Sequence, residues 1–244
     1  MERDAYIEKR DAHSSKIEKI LLFETSKYFV KFLREVNLNL SKASKTYRIM
    51  KKDINDEIID LILPSQVDKV DEFIKLLGPI LLIGYKDSFE SMGGTFSQKN
   101  SYIQKSLNAE KGLFNNMMAE TYIALRMSLK NAISENLTQN EIKGVLAKIL
   151  DQNHSKARLI ARTESLRTTN VGMYAATIQD NEVQGYEWVA VMDRVTRDSH
   201  VLADGERIEK GGYFSNGLQY PLDPYGPAEE VCNCRCVAIP LRKV

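Results

Sequence analysis

The residues best suited to chemistry crowd into the last third of the chain. Asp193-Arg194-Val195-Thr196-Arg197-Asp198-Ser199-His200 follows an apolar run around Trp188, and Cys232-Asn233-Cys234-Arg235-Cys236 holds every cysteine of the protein. Ala161-Arg162-Thr163-Glu164 precedes both on a stretch of helical pattern, where Arg162 and Glu164 need partners if they are buried. Three chemistries fit this set. In a catalytic reading His200 is a general base or metal ligand, Glu164 or Asp193 orients it, and an arginine holds an anion. No zinc-hydrolase histidine motif, nucleophile elbow, phosphate loop or dinucleotide fingerprint accompanies it. In a metal reading His200 joins two or three of Cys232, Cys234 and Cys236 around tetrahedral zinc, although structural zinc loops usually set paired cysteines two to four residues apart. In the third reading Arg162, Glu164, Asp193, Arg197 and His200 form a buried polar network, with Cys234 and Cys236 as small core residues on one strand face.

The elements that must position these residues follow from pattern. Ile17, Ile20, Leu21, Tyr28 and Phe32 fall near one face of a helix expected over residues 1 to about 53. Within it Lys42, Lys45, Arg48 and Lys52 recur three or four apart with no acid between, a basic stripe that suits solvent, phosphate or an acidic partner. Ser65 with Asp68 marks a helix start, and Gly78-Pro79 is expected to end that helix. Met92-Gly93-Gly94 predicts a turn, with the next helical segment beginning near Leu113. Thr138 and Glu141 form a capping box, opening a helix expected to stop near Gln152-Asn153 before another runs from Ser155 to about Ile178. Past Gly185 the pattern turns to β: a strand through Trp188, a tight turn at Asp204-Gly205, and a strand over Val231 to Ile239 closed by Pro240. The fold class is therefore α+β, a largely helical N-terminal two-thirds followed by a small β-containing region.

Composition bounds the function. With 244 residues, 43% hydrophobic and 27% charged, the chain can bury one or two cores. A net charge of +1 excludes a wholesale electrostatic attraction to nucleic acid or anionic lipid, so any such contact needs a local patch. The stretch from 181 to 244 carries seven basic and ten acidic residues, which disfavours DNA contact there. No apolar run suffices for a membrane span, and the charged Met1-Glu2-Arg3-Asp4 start lacks the apolar core of a secretory signal, so a cytoplasmic product with reduced thiols is expected.

The ordered series Ala161-Arg162-Thr163-Glu164, Asn170, Trp188, Asp193, Thr196-Arg197, His200, Asp204-Gly205, Pro221 and Asn233-Cys234-Arg235-Cys236 resembles the phage Mu F-like minor head proteins over roughly residues 113 to 240. The resemblance divides the chain into a helical N-terminal region (1–112), suited to portal or DNA docking, and a head morphogenesis domain (113–244). It implies a minor head protein of a tailed double-stranded DNA phage or prophage. Such a protein binds the portal protein, enters the procapsid in few copies alongside scaffolding and major capsid proteins, and touches packaged or ejected double-stranded DNA. It implies a place in the virion and no established enzyme activity, small-molecule substrate or membrane. The family's polar positions fall on Arg162, Glu164, Asp193, Arg197, His200, Cys234 and Cys236, and Cys232 lies just outside them. A structural zinc is the cofactor this set would hold, and a zinc-dependent hydrolase or nuclease using His200 is the competing function.

Overall fold

The structure, a computed structural model, describes residues 3–46, 56–135 and 137–243, with the side chains of 44–46, 56, 57 and 150–154 outside the description. Its elements are α1 (Arg3–Thr46), α2 (Asp56–Ile62), α3 (Gln66–Ser91), α4 (Ser101–Ser134) and α5 (Gln139–Thr177), then β1 (Val183–Val189), α6 (Asp198–Ala203), β2 (Arg207–Glu209), α7 (Ala228–Val231) and β3 (Val237–Arg242). The α+β class expected from the pattern is the one adopted. None of the described helices is long and apolar enough to cross a membrane.

The chain divides into two compact units. One gathers residues 1–22, 78–110 and 159–244, the other residues 23–77 and 111–158. The second unit is all helical and closes around Tyr28, Phe29, Phe73 and Phe114, whose rings pack edge-on or tilted at centroid distances from 4.8 to 6.0 Å. Tyr28 donates to the Lys69 carbonyl, and Lys69 pairs with both Glu35 and Glu72.

The first unit carries the sheet. Its strands lie in the order β2-β1-β3, both pairs antiparallel, with Trp188 of β1 fully buried and Tyr6, Met173, Val189, Val237 and Ile239 forming one apolar cluster. Pro240 lies inside edge strand β3, opposite Tyr186, instead of closing it. An edge position tolerates the missing N–H because only one side of the strand is paired. The expected strand start at Val231 is also corrected: residues 228–231 form α7, and Asn233, at φ 58, turns the chain before β3.

Three helix boundaries differ from expectation. Gly78-Pro79 does not end α3, because Val70, Phe73, Leu77, Leu81, Tyr85 and Phe89 stay buried at helical spacing straight through the proline. Burial of such side chains, about 1.5–3 kcal/mol each, outweighs the roughly 3 kcal/mol that an interior proline costs. Helix α4 starts at Ser101, a turn and more before Leu113, because Asn100 Oδ1 accepts the amides of Tyr102 and Ile103 as an N-cap. The two helices expected on either side of Gln152-Asn153 are one, α5. Its start is the expected capping box, with the Thr138 amide donating to Glu141 Oε2 at 2.7 Å and the Glu141 amide to Thr138 Oγ1 at 3.4 Å.

From Thr163 to Ala175 helix α5 is buried all round, a central rod within its unit. Polar residues survive there because Ser165, Thr168, Thr169 and Thr177 hydroxyls return to carbonyls of their own helix. Gly172 lets this rod touch α3: a Cβ there would stand 2.0 Å from Ser88 Oγ and 2.9 Å from the Tyr85 carbonyl. Ser88 Oγ lies 3.0 Å from the Thr168 carbonyl across the same contact and 2.7 Å from the Gly84 carbonyl of its own helix. Gly172→Ala is therefore expected to destabilise the protein by about 1–3 kcal/mol in chemical denaturation, whereas Gly112→Ala, which meets nothing within 4 Å, is expected to be neutral or stabilising.

Candidate metal centre

A tight chain reversal builds the site. Residues 232–236 lie between α7 and β3, and several backbone groups of the turn are held. The Asn233 amide donates to Thr163 Oγ1 at 3.0 Å, and Asn170 Nδ2 donates to the Cys236 carbonyl at 3.0 Å, so α5 grips the turn at both ends. Arg10 Nη1 donates to the Arg235 carbonyl at 2.8 Å, Arg197 donates to the Cys232 carbonyl, and the Cys234 amide returns to Val231 O at 3.2 Å. Held this way, the side chains of Cys234 and Cys236 are buried and come within 3.7 and 3.4 Å of His200 Nδ1.

Helix α6 supplies the histidine. Its first turn carries Asp198, and His200 is 1% exposed with its ring edge-on to Trp188, the centroids 5.2 Å apart. The second ring nitrogen, Nε2, lies 2.9 Å from Glu230 Oε2, and Ser199 Oγ donates to both oxygens of that carboxylate. His200, Cys234 and Cys236 are the group of three among the described residues whose donor atoms fall within 4.8 Å of one another. Beside them is a void of about 10 Å³, bordered also by Thr196, Arg197 and Asn233, room for one water-sized atom.

The two sulfurs divide one proton unequally. The Cys236 thiol is pulled down to about 5 by the hydrogen bond from Cys234, against the burial that raises it, with His200 and the Val191 amide assisting. Cys234 is pushed well up by the same bond and by burial, so the pair shares one proton. The Val191 amide adds to the lowering of Cys236, and the Cys236 amide opposes the rise of Cys234 without reversing it. Two soft sulfurs and an imidazole are a donor set that could hold a metal ion of the zinc class.

The other residues singled out from sequence are dispersed. Arg162 is half exposed and faces Glu18 at 3.7 Å. Glu164 is buried, but with Arg167 and Glu110, not with His200. Asp193 pairs with Arg235 at 2.6 Å, which holds its carboxylate below the usual range, and also accepts from the Val195 amide. Arg197 ties the turn through a carbonyl. Cys232 is a free, half-buried cysteine outside the three-donor group. Cys234 and Cys236 sit in the turn ahead of β3, so they do not share a strand face. Lys42 is exposed on α1, while Arg48, Lys52 and the side chain of Lys45 lie outside the described residues.

Glu230 and Ser199 escaped the sequence reading; their only signal was adjacency, Ser199 to His200 and Glu230 to the cysteine run. A second buried cluster escaped it too. Tyr85 donates to Glu110 and accepts from Ser106 Oγ at 2.6 Å, and Glu110 is hydrogen-bonded to Glu164, which faces Arg167 Nε at 3.7 Å. Burial, then the Glu164 charge, raises Glu110 well above the carboxylate range, which favours its protonated form beside Glu164 and Arg167.

Comparison with known proteins bears out the resemblance. Residues 124–239 match the family described as Phage Mu protein F like protein, a stretch that includes α5, β1, β2, the first half of β3 and all three candidate ligands. An uncharacterized protein of Haemophilus influenzae is 29% identical over 117 residues, 46% of this chain and 24% of that one. A protein of Enterococcus faecalis named NAD(+)–arginine ADP-ribosyltransferase EFV is 27% identical over 127 residues, 45% of this chain and 26% of that one. The chain thus spans about a quarter of the length of these curated relatives. No solved structure matches it.

Proposed function

We propose, from the Mu F-like match, that this chain is a minor head-morphogenesis protein of a tailed double-stranded DNA phage or prophage. In this reading it associates with the portal protein during procapsid assembly, is carried in the virion, and contacts packaged or ejected DNA. The match over residues 124–239 is the observation that carries the reading. Residues 113–244 supply a folded body, and docking falls to the helical region 1–112, including the basic stretch of Lys42, Lys45, Arg48 and Lys52. Mass spectrometry of purified particles tests it: a few copies per particle are expected, and particles lacking the chain would remove the reading.

The same proposal assigns His200, Cys234 and Cys236 a structural zinc. Buried thiols, amide donors to both sulfurs and an imidazole nitrogen facing them support it. Zinc here would cross-link α6 to the turn before β3. The void of about 10 Å³ suits one water-sized atom and not a substrate, which favours a structural over a hydrolytic role. The transferase activity in the name of the Enterococcus protein is not carried over, since the matched stretch is 26% of that protein.

A further inference from the structure

A neutral imidazole carries its proton on one nitrogen, and the group facing the other side decides which. At His200 the two sides differ sharply. Nε2 lies 2.9 Å from Glu230 Oε2, and Glu230 is itself held by Ser199 Oγ at 2.9 and 3.1 Å. Nδ1 faces two sulfurs and no carboxylate. A carboxylate keeps a proton on the nitrogen it faces, so the nitrogen free to give up its proton to a metal is Nδ1, beside the sulfurs and the void. Burial locks this choice, because the His200 side chain is 2% exposed and packs edge-on against Trp188.

We propose that Glu230, oriented by Ser199, is the positioning residue that makes Nδ1 of His200 a metal donor, and that the resulting site of two sulfurs and one nitrogen keeps its fourth position for a single exchangeable, water-sized ligand. The inference rests on the zinc reading above. The fourth position follows from the donor count: three residues converge among those described, Cys232 is not one of them, and the void beside them holds one small atom. Thr196, Arg197 and Asn233 border that void, so a water or small anion there has polar neighbours.

The test uses the full chain and reads zinc affinity by competition with a chromophoric chelator. Glu230→Ala is expected to weaken zinc about 10–100-fold, and Ser199→Ala less. Glu230→Gln, which keeps an amide oxygen beside Nε2, is expected to recover most of the loss, and Cys232→Ser to change nothing. With Co(II) in place of zinc, azide is expected to shift the d–d bands of the wild type. Wild-type affinity in Glu230→Ala overturns the positioning role and leaves the zinc reading standing. Bands indifferent to azide overturn the open position. A wild type that takes up no zinc removes the zinc reading and this inference with it. If Glu230→Ala fails to fold, the Ser199→Ala and Glu230→Gln affinities decide the matter: values equal to wild type for Ser199→Ala overturn the role.

Discussion

Cys236→Ser is expected to lose stoichiometric zinc, with affinity falling by more than about 100-fold, beyond what removal of an outer partner costs. The effect is large because the serine hydroxyl is a poor ligand for a soft-binding site and cannot be ionised as the thiol is. Cys236 sits lower on the pH scale than its partner and lies nearest His200, at 3.4 Å. The loss of metal carries a loss of stability. A ligand present at about 100 times its dissociation constant contributes roughly 2.7 kcal/mol, and the substitution forfeits that whole linkage. Chelator added to the wild type is expected to lower its denaturation midpoint, and to leave Cys236→Ser unmoved. A variant that matches the wild type in zinc content would show that the three residues are a packing cluster and not a metal centre.

Arg167→Ala is expected to destabilise the protein by about 3–5 kcal/mol, the range seen when one partner of a buried ion pair is removed. Arg167 is 1% exposed and lies beside two buried carboxyl groups, Glu164 at 3% and Glu110 at 1%. Burial works against its charge, but Glu164 and then Glu110 hold it protonated. Without it, Glu164 keeps a charge with no counterion or takes up a proton, and either costs stability. The same cluster sets a pH dependence whose sign follows from Glu110. Its folded value is raised above the unfolded 4.5, so its contribution is fully present below 4.5 and is lost as pH rises through the folded value. Glu110→Gln imitates the protonated form. It is expected to be neutral or stabilising above pH 7 and to flatten the decline of the denaturation midpoint with rising pH. A steeper decline in that variant would mean that the proton sits elsewhere.

Local signals were legible and distant pairings were not. The capping box at Thr138 and Glu141, the helix start at Ser65 and the turn at Gly205 are read from a few adjacent residues, and each is found. Trp188 as an anchor of the β region follows from its alternating context, and it is fully buried. Pro79 misled because its penalty is local while the stripe from Val70 to Phe89 draws on burial along the whole helix. The polar run from Thr163 to Asn170 has no apolar stripe to mark it as interior, yet it is buried because its hydroxyls bond within the helix and its Thr163 and Asn170 hold the cysteine turn. His200, Cys234 and Cys236 were singled out by residue type. The orienting carboxylate was sought in Glu164 or Asp193, but it is Glu230, thirty residues beyond the histidine, and no spacing rule links α6 to α7. The Glu110 side of the second cluster was hidden for the same reason, since α4 brings it to Glu164 across more than fifty residues of sequence.

The account stands or falls on association with the portal. Co-expression of this chain with the portal protein encoded beside it, followed by size-exclusion chromatography with mass measurement of the shared peak, is the direct test. The account predicts co-elution with few copies of this chain per portal assembly. Separate elution at both low and moderate salt would contradict it.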